Sequence, residues 1–399
     1  MGTYMELRKA IFLATSGLAS ASACAQSSVT LYGLVDAGIG YVNNVASRPG
    51  AIGARKIQET SGIGAPSRWG FRGVEDLGGG NSAIFVLENG FSVASGTLLQ
   101  GSRLFGRQAY VGLVNKDLGT ATFGRQYDSV VDFVGPFVSS RQWATQYGAH
   151  VGDIDNLYTT FRINNSVKYT SPTYRGLAFG GLYAFSNQAA GSAGTGFSNN
   201  SAWSVGASYA AGPVTLGAGH LHLSSPSAGG TGGSNTGGAI VGDYTSVTDI
   251  FYARPVKTQD VTGAGVAYQL DAATLGFAYT VAKLRYVDNS SFSLSNYEAN
   301  AKYQITPAFL AGVAFIYSDA KVGGASKIAN ITDGTYPRWA QINLGAQYLL
   351  SKTTTTYVAA VYQKALGDAL TATIDSVGGP TGSNSKYQLA VTAGLRVRF

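Results

Sequence analysis

A transmembrane antiparallel β-barrel of about sixteen strands is the fold this 399-residue sequence predicts, on three observations. Segments of about ten residues alternate apolar side chains with small or polar ones, the period of a strand whose two faces differ. The connections alternate between short turns and long loops rich in Gly, Ser and Asn, as in barrels with tight turns on one rim and extended loops on the other. No apolar run reaches the roughly 18 residues of a membrane-crossing helix, so any crossing is made by strands.

Composition agrees. Charged residues make up 12% of the chain, about half the usual share, and there are 54 Gly and 24 Tyr against 10 Pro. Such a mixture suits tight turns, short strands and girdles of amphipathic aromatic rings. Mean hydropathy is only +0.06, because an alternating strand averages to near zero.

The N-terminal "MELRKAIFLATSGLASASACAQ" carries Arg8 and Lys9, an apolar stretch from Ala10 to about Leu18, and Ala23, Cys24 and Ala25 as an A-x-A cleavage site. It reads as a signal peptide over 1–25, cut after Ala25, leaving 26–399 as the barrel; it reads normally from Met5 as well. Cys24 leaves with the signal, so the mature chain has no thiol or disulfide chemistry. A lipoprotein site at Cys24 would want a large aliphatic residue where Ala21 stands. Taking Glu6, Arg8 and Lys9 from 28 basic and 21 acidic residues leaves 26 and 20, a net charge of +6.

Taken in order, strands are expected near 28–42, 65–76, 81–92, 102–114, 118–127, 162–171, 175–186, 201–211, 213–223, 259–270, 272–287, 293–306, 308–319, 338–351, 354–366 and 385–399. The first sets Val29, Leu31, Val35, Ile39 and Tyr41 on one face and Tyr32, Asp36, Gly38 and Gly40 on the other. In "AATLGFAYTVA" Leu275, Phe277, Tyr279 and Val281 alternate with Thr274, Gly276, Ala278 and Thr280. An even number brings both termini to the short-turn rim, where the first and last strands can close the cylinder. Barrels of sixteen to eighteen strands are wide enough to hold water. Between the fifth and sixth strands runs a long segment from Asp128 to Phe161 containing Val130, Val131, Phe133, Val134, Phe137, Trp143 and Tyr147. So apolar a loop needs a surface to pack on, and the inner wall offers one.

Seven stretches, in order, resemble the general porins of the Gram-negative outer membrane, most closely the beta-proteobacterial type. They are "SSVTLYGLVDAGIGY", "SRWGFRGVEDLGGGNSAIFVLENGF", "RLFGRQAYVGL", "GTATFGRQYDS", "NNSVKYTSPTYRGL", "LGAQYLLSKTTTTYVAAVY" and the terminal Phe399. In "LLSKTTTT" the family more often has an Arg after the Lys. The resemblance implies a water-filled barrel in the outer membrane, usually a homotrimer, whose third outer loop folds inward to narrow the passage for small ions and solutes. It further implies outer-membrane lipid, lipopolysaccharide and the barrel-assembly machinery as partners, with Phe399 as assembly signal. No cofactor, metal or nucleic acid is expected.

Strand parity orients the charges. Trp69 and Phe71 take the lipid side, so Arg68 and Arg72 point inward; Phe85 and Leu87 face out and Glu88 in. Arg103 and Arg107 are placed inward from the fourth strand, the family pattern favouring Arg107. Arg162 and Lys168 face in from the sixth and Asp36 from the first, while Asp128 and Asp132 begin the third loop. The expectation is a constriction with arginines on one wall and loop carboxylates opposite, passing anions somewhat better than cations. The alternative role for these arginines is to neutralise nearby carboxylates and hold the loop down. Arg125 is read equally as a lumen or a subunit-contact residue. Arg396 and Arg398 face the interior near the short-turn rim.

Rival readings are weaker. A substrate-specific channel of the same fold would carry a tuned site on the third loop. An outer-membrane hydrolase would need a Ser or Thr beside a His, and His150, His220 and His222 have no convincing partner of that kind. "HLH" places two imidazoles on one strand face without an evident third ligand.

Overall fold

The computed structural model describes residues 28–46, 51–187, 196–228, 237–240, 244, 255–324, 332–375 and 382–399. The expected signal segment and Ala25 lie outside them. Among the described residues seventeen strands follow in order: β1 Ser28–Val45, β2 Ala54–Ser61, β3 Arg68–Gly78, β4 Asn81–Gly90, β5 Gln108–Asn115, β6 Gly119–Gln126, β7 Ile163–Thr170, β8 Leu177–Ala184 and β9 Ser201–Ala211. They continue with β10 Val214–Ser224, β11 Val256–Leu270, β12 Ala273–Tyr286, β13 Ser291–Thr306, β14 Phe309–Gly323, β15 Pro337–Leu349, β16 Thr354–Gly367 and β17 Tyr387–Arg398.

All pairings are antiparallel, and β17 returns to β1 in register from Leu34 opposite Arg398 to Val42 opposite Ala390. That seam closes the sheet and leaves no edge. On its other side β1 pairs along its outer half with β2 and along its inner half with β3. The two segments share one position, so the ring has sixteen. The strand expected from 65 does not include β2, because "GIGAPS" reads as a loop. Gly62 (φ +72°) does break the ladder there, but the chain resumes pairing on either side.

A second difference lies before β5. The expected strand from 102 begins only at Gln108, because Gln100, Gly101 and Ser102 all have φ between 50° and 75° and turn the chain back on itself. Arg103 consequently belongs to a loop.

Large apolar residues project outward all round the barrel, among them Leu31, Ile39, Phe179, Phe277, Phe315, Leu344 and Val358. On the inside, glycines and polar residues leave room for the segment from Asp128 to Phe161. It begins with a short helix, α1 (Ser129–Phe133), followed by single 3-10 turns. Val130, Val134, Phe137, Trp143, Tyr147, Ile154 and Leu157 are buried against the wall, each worth roughly 1.5–3 kcal/mol if fully desolvated.

The wall accommodates the loop through missing side chains. A methyl group at Gly265 on β11 would come within 2.5 Å of the Phe137 ring, and one at Gly345 on β15 within 2.7 Å of the Trp143 ring, which Gly312 on β14 also meets. Inward glycines on successive strands therefore form a groove into which the loop's aromatic rings fit.

Candidate functional site: an arginine-lined constriction

Polar contacts hold the third loop on the same side as its apolar ones. Buried His150 lies between two carboxylates, Nδ1 2.6 Å from Asp155 Oδ2 and Nε2 3.0 Å from Glu298 Oε2 on β13. Burial disfavours the imidazolium, but the charge and hydrogen bonds of Asp155 and Glu298 outweigh it and hold His150 up to about 10. Asp155 also accepts from the Thr280 hydroxyl on β12 at 2.6 Å, and Glu298 from the Ser139 backbone N–H at 2.6 Å. Asn343 on β15 donates to the Gly148 carbonyl at 3.0 Å, and Gln259 on β11 to the Ile154 carbonyl at 2.6 Å.

Docking on β9–β15 leaves the free edge of the loop facing β1, β3–β5 and β17. Between them lies a cavity of about 310 Å³, lined among others by Arg68, Glu88, Arg107, Tyr127, Arg141 and Tyr158, with Arg396 and Arg398 from β17. Five arginines and one carboxylate surround it. Glu88 is bound twice over: Arg107 Nε donates to it at 2.8 Å, and Arg68 lies 3.6 Å away. It also accepts from the Tyr32 hydroxyl at 3.0 Å. The second Arg107 donor reaches the Tyr127 hydroxyl at 2.9 Å. Burial pushes the Tyr127 hydroxyl up, but Arg107 and Arg162 outweigh it and leave it below the ordinary phenol range.

Of the residues expected from the sequence, Arg68, Glu88 and Arg107 meet at this cavity. Asp36 stands just behind it: its Oδ2 accepts from Arg396 at 3.3 Å and its Oδ1 from the Tyr357 hydroxyl at 2.9 Å. The others are elsewhere. Arg72 lies four residues beyond Arg68 toward the short-turn rim, its guanidinium 5.5 Å over the Tyr32 ring. Arg103 donates to the Gln100 carbonyl at 2.6 Å inside its own loop. Arg162 is buried under the loop and stacks 5.5 Å over the Tyr127 ring.

The loop carboxylates do not face the arginine wall. Asp128 is fully buried and caps α1, accepting from the backbone N–H groups of Val130 at 2.8 Å and Val131 at 3.1 Å and from Asn156 at 2.8 Å. An aspartate immediately before a helical turn satisfies that turn's free donors, which keeps it out of the lumen. Asp132 forms an ion pair with Lys168, and Lys168 also donates to the Tyr127 carbonyl at 2.9 Å. That pair ties the start of the loop to β7.

The charge opposing the arginine wall is instead another cation. Arg141, on the loop, lines the cavity and is held by the carbonyls of Leu157 at 3.1 Å and Val131 at 3.3 Å. Neither Arg141 nor Arg398 has a carboxylate partner among the described residues. Strand parity turns Arg396 and Arg398 inward, as expected from the sequence, and both reach the cavity. No periodicity signals Arg141, because it lies in a loop. Arg125, read either way from sequence, points outward but is buried, donating to the Gly106 carbonyl at 2.8 Å and contacting Asn164.

A family model for Gram-negative porins matches residues 10–368. The chain belongs to that family. This porin is 39% identical over 181 residues to an outer membrane porin protein of Bordetella pertussis, covering 43% of the chain and 46% of the relative. Outer membrane porin protein 32 of Delftia acidovorans is 35% identical over 190 residues, 45% of the chain and 50% of the relative. The porin thus spans about half the length of the curated relatives it matches. Among solved structures, an anion-selective porin from Comamonas acidovorans superimposes with a TM-score of 0.71 at 22% identity, over 94% of this chain and 100% of that one. At that identity the likeness is one of fold. Membership of that family places this porin in the outer membrane of a Gram-negative bacterium.

Proposed function

We propose that this porin is a passive, water-filled channel for small hydrophilic solutes and ions, with a modest preference for anions, acting as a homotrimer and performing no chemistry. The observation that carries the reading is the constriction with five arginines and one carboxylate between the third loop and the opposite wall. An anion about 7 Å from one unpaired charge gains roughly 0.6 kcal/mol in water. Screening over a Debye length of about 8 Å cuts that to under half. With Glu88 on one side and Asp36 pairing Arg396 behind the cavity, a net three positive charges remain, and the sum is about 0.75 kcal/mol, roughly a threefold to fourfold anion enrichment. That is a bias and not a filter.

Single-channel recording in planar bilayers under a salt gradient tests it. Absence of conductance, or preference for cations, contradicts the reading.

Phe399 is read as the assembly signal. Its backbone N–H and C=O bond to Gly33 at 3.1 and 3.0 Å, and its ring covers the Gly33 Cα, where a side chain would collide with it. Deletion of Phe399 should lower the yield of inserted barrel and leave the conductance of what inserts unchanged; a normal yield removes this role.

A further inference from the structure

On the folded barrel the two imidazoles of "HLH" gain the third ligand that the sequence left them without. Leu221 and Leu223 are fully buried on the inner side of β10, so His220 and His222 face outward. Cross-strand register sets Asp260 on β11 directly opposite His222, and Thr262 opposite His220. Paired strands lie about 4.8 Å apart, so the four side chains share one outward patch.

Their contacts converge on one oxygen. His222 Nδ1 lies 2.7 Å from Asp260 Oδ1, and His220 Nε2 lies 3.9 Å from the same atom. His220 Nδ1 is 2.8 Å from the Thr262 hydroxyl. With that nitrogen engaged by Thr262, the other is aimed at the carboxylate, which is how metal-bound histidines are commonly oriented. The three side chains are 29%, 28% and 36% exposed, so an ion can reach them.

Two imidazoles and one carboxylate are the donor set of Zn2+ and Cu2+, whereas Ca2+ and Mg2+ want several oxygens. Metal bonds of about 2.1 Å in a tetrahedral arrangement place the donors about 3.4 Å from one another. The His222–Asp260 pair at 2.7 Å must therefore open by about 0.7 Å, and the His220–Asp260 pair at 3.9 Å must close by about 0.5 Å. No three such groups are already gathered round one point among the described residues, so binding requires these turns. Partly exposed side chains make shifts of that size within a rotamer well.

We propose that His220, His222 and Asp260 form a divalent-metal site on the outer wall of the barrel, taking Zn2+ or Cu2+ with a fourth position open to water. The ion replaces the proton held between His222 and Asp260, and Thr262 orients His220. Lys283 on β12 stands opposite Asp260 from the other side and repels the ion, which limits affinity. The site faces away from the lumen and does not depend on the channel reading. Trp203 on β9 supplies a reporter, its ring centroid 5.0 Å from that of His220 and 5.9 Å from that of His222.

The test titrates Zn2+ and Cu2+ into the intact, untagged barrel in detergent. Calorimetry should give one Zn2+ per chain. Cu2+ should quench Trp203 fluorescence, a signal that Trp203→Phe removes without changing the calorimetric stoichiometry. His220→Gln, His222→Gln and Asp260→Asn should each weaken Zn2+ binding about 100-fold, and Thr262→Val, which loses only the orienting contact, about 10-fold. Lys283→Gln keeps every ligand and should tighten binding about twofold, since one charge about 8 Å away no longer opposes the ion. This gain keeps the test decisive where a ligand variant fails to insert. Absence of saturable Zn2+ binding to the wild type, unchanged binding in His222→Gln or Asp260→Asn, no tightening in Lys283→Gln, or Ca2+ bound as tightly as Zn2+ each overturns the proposal.

Discussion

Arg107 and Glu88 form an ion pair of 2.8 Å at the edge of the arginine-lined cavity, with side chains only 7% and 5% exposed. The same carboxylate restrains Arg68 at 3.6 Å, so one acid organises two of the five cavity arginines. Removing one partner of a buried pair leaves the other uncompensated, at a cost of about 3 kcal/mol. Glu88→Gln should lower thermal stability by that order in a detergent melt. In bilayers it should raise anion preference, because the cavity loses its one lining carboxylate. A variant with unchanged stability and selectivity would show that Glu88 neither anchors nor compensates the arginines.

Among the described residues, Arg141 and Arg398 face the same space without acidic partners, so their charge is available to permeating ions. Arg141→Glu and Arg398→Glu should each shift the anion-to-cation permeability ratio about fivefold toward cations, since each reversal removes two charges from the local sum at roughly 0.25 kcal/mol apiece, which lowers the anion and raises the cation about twofold each. Arg72→Glu should shift it less, its guanidinium lying over Tyr32 outside the cavity. Equal effects from all three would mean that selectivity depends on net lumen charge and not on the constriction.

The groove of inward glycines gives a steric test. Gly312→Ala would drive a methyl into the Trp143 ring, and overpacking of this kind costs about 1–3 kcal/mol. The barrel should still form, since Gly312 faces the loop and not the membrane. Single-channel records should show a larger or noisier conductance as the loop loses its seat. A wild-type trace would mean that Trp143 does not fix the loop.

Alkaline pH should loosen the loop through two buried groups. His150, held up to about 10 by its two carboxylates, keeps its proton in the docked state well above free imidazole. Its contribution is complete below about pH 6.5 and fades as pH rises to about 10. Burial, with Asp155 and Asp375 nearby, raises Asp153 to about 8, so it too holds a proton longer when docked, and stability falls from about pH 4 to about pH 8. Both slopes have the same sign. Current noise should increase between pH 7 and pH 10.5 in the wild type, and His150→Gln should be noisier at pH 7 with a flatter dependence above it. Noise that falls with rising pH would contradict the assignment.

Much of the barrel was legible because a wall with lipid on one side and water on the other imposes a strict period of two. Leu31, Ile39 and Phe277 announce the lipid face, and Asp36, Arg68 and Glu88 the interior. The period fails at β2, where Gly62 and Pro66 interrupt a strand that pairs on both sides of them. It has no reach into the third loop. There Asp128 follows a local rule, capping α1, and Arg141 is placed by carbonyls 10 and 16 residues away in the chain. A field between loop acids and wall arginines was therefore the natural expectation, and the folded loop instead commits Asp128 to its own helix cap and Asp132 to Lys168 on β7.

The most direct measurement is the zero-current potential of the wild-type channel under a tenfold salt gradient. A sign reporting net anion flux, with a permeability ratio on the order of ten, is expected from five arginines facing one carboxylate. A sign reporting net cation flux would contradict the account.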